Sequence, residues 1–232
     1  MRLALILLAW KRPEGTLANL KDLSDQTMEG FHVVVSNSNP EIHDKLTKYV
    51  SQFKDLDINL RLDSNDKLAF RRITIAHELA KQGFDAIMFL DDDIRIPKNY
   101  VELAIEQFEE KTYKSNYTWK FLNGGVDYYK QRTRVYEDDP GIRYCGTAVS
   151  IIDARVFLNE AILHPPEGAI AVEDLWLSYF AHHVAGYQLK YLNIPKVIIG
   201  GGDAVALYRQ VSRQDYTKKD LLLDLIATGW SV

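Results

Sequence analysis

Three aspartates in a row, Asp91, Asp92 and Asp93, follow directly on the apolar run from Ala86 to Leu90. Adjacent like charges repel, and carboxylates at the end of a buried segment persist where a cation answers them. The run before them shows no alternation of apolar and polar residues, so it reads as a strand buried on both faces. Pro97 closes the segment. The carboxyl end of such a strand is where open α/β sheets place their ligands. Carboxylate oxygens suit a hard divalent cation, Mg²⁺ or Mn²⁺, better than zinc. The alternative is a solvated acidic turn that caps the next helix.

A second acidic pair, Glu173 and Asp174, opens a stretch in which Val172, Leu175, Trp176, Tyr179 and Phe180 form one stripe at helical spacing. Asp174 falls off that stripe, as a general base facing a cleft should. Acidic residues in a first helical turn are also ordinary capping chemistry. Arg71 and Arg72 break the same rule in the opposite sense, because they sit in the first turn of the helix after Lys67, where the macrodipole is already positive. A bound diphosphate would compensate them; a surface arginine pair is the other reading. His183 shares the stripe of Trp176 and Tyr179 and reads as a core residue, while His77 and His182 read as exposed or structural. The lone cysteine, Cys145, excludes an intramolecular disulfide and reads as a small buried hydrophobe.

The elements that would position these groups alternate strand and helix four times. Strands are expected at Leu3 to Ala9, Phe31 to Val35, Ile58 to Leu62 and Ala86 to Leu90. Helices are expected at about 16–26, 40–53, 68–82 and 98–109. This is the pattern of a parallel sheet with right-handed crossovers. After Glu110 the rhythm changes. Short strands are expected at Lys120 to Leu122, Tyr128 to Tyr136 and Arg143 to Ile152, then a short helix over 154–163 and a long one over 172–185. Strands at 189–192 and 196–199, the run Gly200-Gly201-Gly202 and a helix over 216–227 complete the chain. The fold class is α/β: a Rossmann-like, mostly parallel central sheet with helices on both faces and a smaller mixed region. The expected organisation is one domain over 1–232, with the first half, 1–111, separated from 112–232 by a change of role.

Composition narrows the function. The chain has 232 residues, an apolar fraction of 47% and a formal net charge of −4, which is ordinary for a globular protein and argues against a nucleic-acid partner. The apolar run from Leu3 to Trp10 falls short of the roughly 20 residues that span a membrane, and no small-residue cleavage site follows it. A cytoplasmic protein without a transmembrane segment is expected.

The order of motifs resembles a GT-A glycosyltransferase of the inverting family 2 type, with a narrower likeness to small glycosyltransferase domains of large algal viruses. Ala9-Trp10-Lys11-Arg12-Pro13 and the helix after it are similar to the family's first strand and helix. Leu90-Asp91-Asp92-Asp93 resembles its DXD motif, Cys145-Gly146-Thr147-Ala148 its later glycine-containing strand, and Glu173-Asp174 its ED motif. The resemblance implies transfer of a hexose from a nucleoside-diphosphate sugar, a UDP-sugar above all, to a glycan hydroxyl. It implies Mn²⁺ or Mg²⁺ on Asp93, joined by Asp91 or Asp92, with Asp91 near the ribose or base, and Asp174 as base assisted by Glu173. Donor contacts are expected from Ala9, Trp10, Arg12, Asn37, Asn65, Arg71, Arg72, Asp91, Asp92, Gly146 and Thr147. In the family an aromatic at the place of Trp10 stacks on the nucleobase, and an aspartate near Ser36-Asn37 reads uracil; here Asn37 takes that place. The family's late histidine ligand is missing, and Asp203 is the nearest substitute. Tyr128 to Arg132 and the tail with Tyr208, Arg209 and Arg213 are candidate acceptor or flap contacts. Competing readings are a haloacid-dehalogenase-type phosphatase, a sugar nucleotidyltransferase and a nucleotide-sugar-binding module without activity.

Overall fold

The computed structural model describes residues 1–63, 68–122, 127–166, 169–195, 197–198 and 218–232. The expected strand–helix alternation is present: β1 (Leu3–Ala9), α1 (Pro13–Ser24), β2 (His32–Asn37), α2 (His43–Val50), β3 (Asp57–Leu62), α3 (Arg71–Lys81), β4 (Ala86–Leu90), β5 (Ile94–Arg95) and α4 (Tyr100–Glu106). The second half supplies β6 (Thr112–Ser115), β7 (Thr118–Phe121), β8 (Arg132–Val135), β9 (Tyr144–Cys145), β10 (Val149–Asp153), α5 (Glu173–Tyr179), β11 (Gln188–Tyr191), β12 (Val197–Ile198) and α6 (Lys218–Ala227).

Seven strands form the main sheet in the order β11-β6-β10-β4-β1-β2-β3. Strands β4, β1, β2 and β3 are mutually parallel, and β10 runs antiparallel to both β4 and β6. Side chains alternate between two cores, which explains the unbroken apolar runs. Ala4, Ile6, Ile87 and Phe89 pack against α3 and α5 on one face. Leu3, Leu5, Leu7, Met88 and Leu90 pack against α1, α2 and α4 on the other. A separate three-stranded antiparallel sheet, β8-β7-β9, stands beside the main one.

Several expectations are corrected. The stretch 143–152 is two strands in different sheets, because β9 pairs with β7 while β10 joins β4 and β6. Strand β6 carries no apolar pattern, yet Thr112, Tyr113, Lys114 and Ser115 are all buried. Lys114 manages this by burying its stem and carrying its ammonium to Glu109 at 2.6 Å. Residues 154–163 form 3-10 turns and not an α-helix. His183 is exposed, not core: α5 passes at Phe180 into a π-helical turn to Val184, and the wider turn rotates the later residues off the stripe. His77, by contrast, is buried, with Nδ1 2.6 Å from the Phe157 carbonyl oxygen. The strand expected at Lys120 to Leu122 is β7, Thr118–Phe121, and the Gly200-Gly201-Gly202 run falls outside the described residues.

Helix α1 locks the strand end that carries the aspartates. Arg12 precedes it, and Asn19 on its buried face donates Nδ2 to the Asp91 carbonyl at 2.9 Å. Gly15 lies so close that a Cβ there would stand 2.1 Å from the Asp92 carbonyl oxygen. That contact is impossible without moving backbone, so Gly15→Ala should cost about 1–3 kcal/mol in stability. Urea denaturation of the variant checks this, and an unchanged midpoint would mean that α1 does not clamp the aspartate segment.

Candidate active site

Because β1, β2, β3 and β4 run parallel, Trp10, Ser38, Asp63 and Asp91 leave the sheet at one edge. Strand order turns back at β1, with β2 on one side and β4 on the other. A crevice at such a switch point is the natural ligand position of an open sheet. The aspartates, Arg12 and Trp10 all stand there.

The three aspartates do not behave alike. Asp91 accepts from Arg72 Nη2 at 3.1 Å, Asp92 from Arg12 Nη2 at 2.8 Å and Asp93 from Arg12 Nη1 at 2.9 Å. Asp92 is 9% exposed. Burial pushes its carboxyl up to about 7, and the Arg12 guanidinium only partly offsets this. Arg72 is buried as well, and its Nε lies 3.1 Å from Glu173 Oε1. Burial works against its charge, but Asp91 and Glu173 outweigh burial and hold its pKa above the ordinary arginine value. Both arginines at the start of α3 are thus interior residues, which excludes the surface-pair reading. Arg71 is 5% exposed, gives Nε to the Leu68 carbonyl at 2.9 Å and leaves Nη1 without a hydrogen-bond partner among the described residues. Burial lowers its pKa to about 10. Leu68 has φ of 42°, in the left-handed region, a strain on the order of 1 kcal/mol at the point where α3 meets the site.

Glu173 and Asp174 point to different partners. Glu173 is 4% exposed, receives Thr147 Oγ1 at 3.4 Å and faces Arg72. Burial raises its pKa to about 7 against the pull of Arg72. Asp174 accepts from the Tyr144 hydroxyl, from Lys218 Nζ at 3.0 and 2.8 Å, and from the Leu175 backbone N–H at 2.9 Å. Burial alone would raise it, but Lys218 and Tyr144 hold its pKa below the usual aspartate range. Neither Tyr144 nor Lys218 was anticipated as part of this site. Lys218 carried a readable signal, a cation in the first turn of α6, the same broken rule that singled out Arg72. Asn19 carried another, a carboxamide on the inward stripe of α1.

The remaining expected donor residues divide. Trp10 is half-buried at the end of β1, with the Lys11 ammonium 4.1 Å from its ring centroid. Ala9 is buried and accepts from the Ser38 N–H at 3.2 Å. Asn37 is buried and closes its own turn, giving Nδ2 to the Asn39 carbonyl at 2.8 Å and accepting from the Asn39 N–H at 2.9 Å. Asp63, at the end of β3, was not anticipated; it accepts from Ser36 Oγ at 2.5 Å. Gly146 is needed for packing, since a Cβ there would stand 3.2 Å from Tyr117 Cβ. Asn65, Asp203, Tyr208, Arg209 and Arg213 lie outside the described residues. A cavity of about 450 Å³ lined by Asp138, Arg143, His182 and Tyr187 shares no residue with the carboxylate cluster. Charge and topology, not that cavity, locate the candidate site.

The donor set fits a divalent cation in kind. Five carboxylates (Asp91, Asp92, Asp93, Glu173, Asp174) meet three cations (Arg12, Arg72, Lys218) in the ion pairs given above. Burial is the main reason Asp92 and Glu173 are raised, and the neighbouring carboxylates add to it. Among the described residues no three His, Cys, Asp or Glu side chains converge as a ligand set. No described helix is long and apolar enough to cross a membrane.

No protein-family model matches the chain, and no curated protein matches it in sequence. Solved structures do match. Mannosyltransferase PcManGT from Pyrobaculum calidifontis, in complex with GDP-Man and Mn²⁺, superposes with a TM-score of 0.63 at 13% identity, over 98% of this chain and 68% of that one. S. aureus TarS superposes at 0.59 and 15% identity, over 98% of this chain but only 42% of TarS. A shorter form, TarS 1-349 in complex with UDP-GlcNAc, gives 0.57 at 14% identity, over 97% and 72%. This chain therefore has the GT-A-type fold that these glycosyltransferases share.

The raised pKa of Glu173 sets a pH dependence. Its folded value of about 7 lies above the unfolded value, so between the two the folded state holds the extra proton. Stability must then fall as pH rises through that window, by up to about 1.4 kcal/mol per pH unit for one group. Glu173→Gln should flatten the decline without abolishing it, because Asp92 shifts in the same sense. Denaturation midpoints across about pH 5 to 7 measure the slope; an equal slope in the variant would mean that Glu173 ionises normally.

Proposed function

We propose that the chain is a metal-dependent glycosyltransferase that moves a hexose from a nucleoside-diphosphate sugar, with UDP favoured, to a hydroxyl of a glycan, with inversion. The observation that carries this is the pairing of a strand-end aspartate cluster with Asp174 across one charged cleft, on a fold shared with PcManGT and TarS. Those solved relatives hold GDP-Man with Mn²⁺ and UDP-GlcNAc. Residues 1–111 are assigned to the donor and 112–232 to the acceptor.

Asp93 with Asp91 would hold the cation, and Asp203 is a candidate further ligand from outside the described residues. The chemistry a bound divalent ion supplies here is neutralisation of charge on the departing diphosphate. Arg71, with Nη1 unpartnered at the start of α3, suits a phosphate oxygen. Trp10 offers a ring to the nucleobase. The acceptor hydroxyl oxygen forms the new bond to the anomeric carbon while the bond to the diphosphate oxygen breaks, and Asp174 takes the hydroxyl proton. Both Asp174 oxygens are already occupied by Tyr144, Lys218 and the Leu175 N–H, so the hydroxyl must displace one of them, and Lys218 has the longest side chain to swing aside. Glu173 acts through Arg72, holding the guanidinium between Asp91 and the acceptor side.

The same full occupancy of Asp174 favours a second reading, a nucleotide-sugar-binding module without turnover. Calorimetric titration with UDP, GDP and dTDP, each with Mn²⁺ and then with excess chelator, tests the donor site. One nucleotide should bind only with metal, and Asp93→Ala should abolish it; no binding under any condition overturns the proposal. Asp174→Asn should keep nucleotide binding and lower turnover by about 10²- to 10⁴-fold. Unchanged turnover would remove Asp174 as the base, and nucleotide binding without turnover of any donor in the wild type would leave the binding module.

A further inference from the structure

Two arginines on β8, Arg132 and Arg134, have no carboxylate partner among the described residues. Arg132 and Arg134 are two residues apart on the strand and so leave the same face. The Arg134 Cζ lies 4.2 Å from the Tyr117 ring centroid and 4.8 Å from that of Trp119. The Arg132 Cζ lies 4.3 Å from Tyr128 and 5.2 Å from Trp119. Their hydrogen bonds go to neutral oxygens, Arg132 Nη1 to the Tyr128 hydroxyl at 2.5 Å and Arg134 Nη2 to the Asn116 carbonyl at 2.8 Å. Arg134 Nε is buried without a hydrogen-bond partner, and neither residue forms an ion pair among the described residues. Burial, with repulsion from Arg132 added, lowers the pKa of Arg134.

This face runs straight to the candidate base. In the sheet register Arg134 stands opposite Trp119, and Trp119 opposite Tyr144. The Trp119 and Tyr144 rings stack at 4.8 Å, and the Tyr144 hydroxyl donates to Asp174. On its other side Trp119 stacks on Tyr117 at 6.0 Å, and Tyr117 feels the charges of Asp91 and Asp93. Tyr129 and Tyr136, 57% and 68% exposed, each present a ring beside one of the guanidinium groups.

A guanidinium stacked on a ring keeps its N–H edge outward, in the fork geometry that carboxylate and phosphate oxygens accept. Aromatic faces beside it suit the apolar face of a sugar ring. A neutral glycan needs the rings but gives two adjacent cations nothing to neutralise. We propose that this face binds an acceptor glycan bearing an anionic group, a carboxylate or a phosphate, with Arg132 and Arg134 holding the anion and Trp119 and the tyrosines the sugar beside it. As an acceptor site it rests on the glycosyltransferase reading above.

The test is tryptophan fluorescence titration of the full chain, with UDP and Mn²⁺ present, using methyl glucuronide, glucose 6-phosphate and methyl glucoside. At least one charged probe should bind about tenfold or more tighter than the neutral one, and the better charged probe tells carboxylate from phosphate. Arg132→Gln combined with Arg134→Gln should erase that preference and leave UDP affinity unchanged. Arg134→Lys, which keeps the charge but not the fork, should retain part of it and guards against a folding defect. Equal binding of the neutral probe, or a preference that survives the double substitution, overturns the inference. Nucleotide binding without anion preference sinks this inference alone. Anion preference that Arg132 and Arg134 carry in a chain that binds no nucleotide sinks the transferase reading and leaves an anionic-glycan site.

Discussion

Arg72 is the pivot of the cleft. Its guanidinium is buried between Asp91, at the end of β4, and Glu173, at the start of α5, with nitrogen–oxygen separations of 3.1 Å on both sides. Burying Arg72 and Glu173 is expensive, and the arrangement holds because they pair with each other and with the half-buried Asp91. Removing the arginine would leave the buried Glu173 carboxylate without a counter-charge, a loss approaching the roughly 3–5 kcal/mol of a broken buried pair, while the half-buried Asp91 regains part of its hydration. The ion triad therefore joins the two halves of the chain, and the position of the candidate base depends on it.

Around that pivot the site is built to carry excess negative charge. Helix α1 fixes the backbone of the aspartates through Asn19 and the close approach of Gly15, so the carboxylates cannot relax apart. Arg12 spans two of them and covers part of the repulsion. Burial, with repulsion from the neighbouring carboxylates added, pushes Asp92 and Glu173 toward neutrality near pH 7. A cleft in this condition favours any ligand that brings cations with it, and it disfavours an unaccompanied anion. That asymmetry is a physical reason for a diphosphate to enter together with a divalent ion.

Much of the parallel half of the sheet, with the aspartates at its edge, was legible in the sequence because local pattern and packing agree there. Strands β1, β2 and β4 are buried on both faces, so their apolar runs have one reading, and the aspartates end such a run. Arg72 was visible as a helix-start cation in the wrong place. The second half was harder. Strand β6 hides as a polar tetrapeptide because Lys114 finds Glu109 only in three dimensions. The split of β9 from β10 follows from the change of sheet at Gly146, where Tyr117 and Trp119 close over the backbone. No local pattern reports that. Lys218 reaches Asp174 from the far end of the chain, a contact that only the packed fold creates.

The acceptor-side groups meet at the Tyr128 ring. Arg132 Cζ lies 4.3 Å from its centroid and Lys218 Nζ 5.7 Å from it, while the same Lys218 ammonium holds Asp174. Asp174 in this pairing is a satisfied carboxylate and a weak base. An anion seated on Arg132 would attract the Lys218 ammonium as well, and every step of Lys218 toward that anion weakens its hold on Asp174. Burial is then opposed only by the Tyr144 hydroxyl and the Leu175 N–H, and the proton affinity of the carboxylate rises. On these readings the charge on the acceptor does more than improve binding. Under the proposed function it would free Asp174 as the hydroxyl arrives, and Lys218 would hold that carboxylate paired until then.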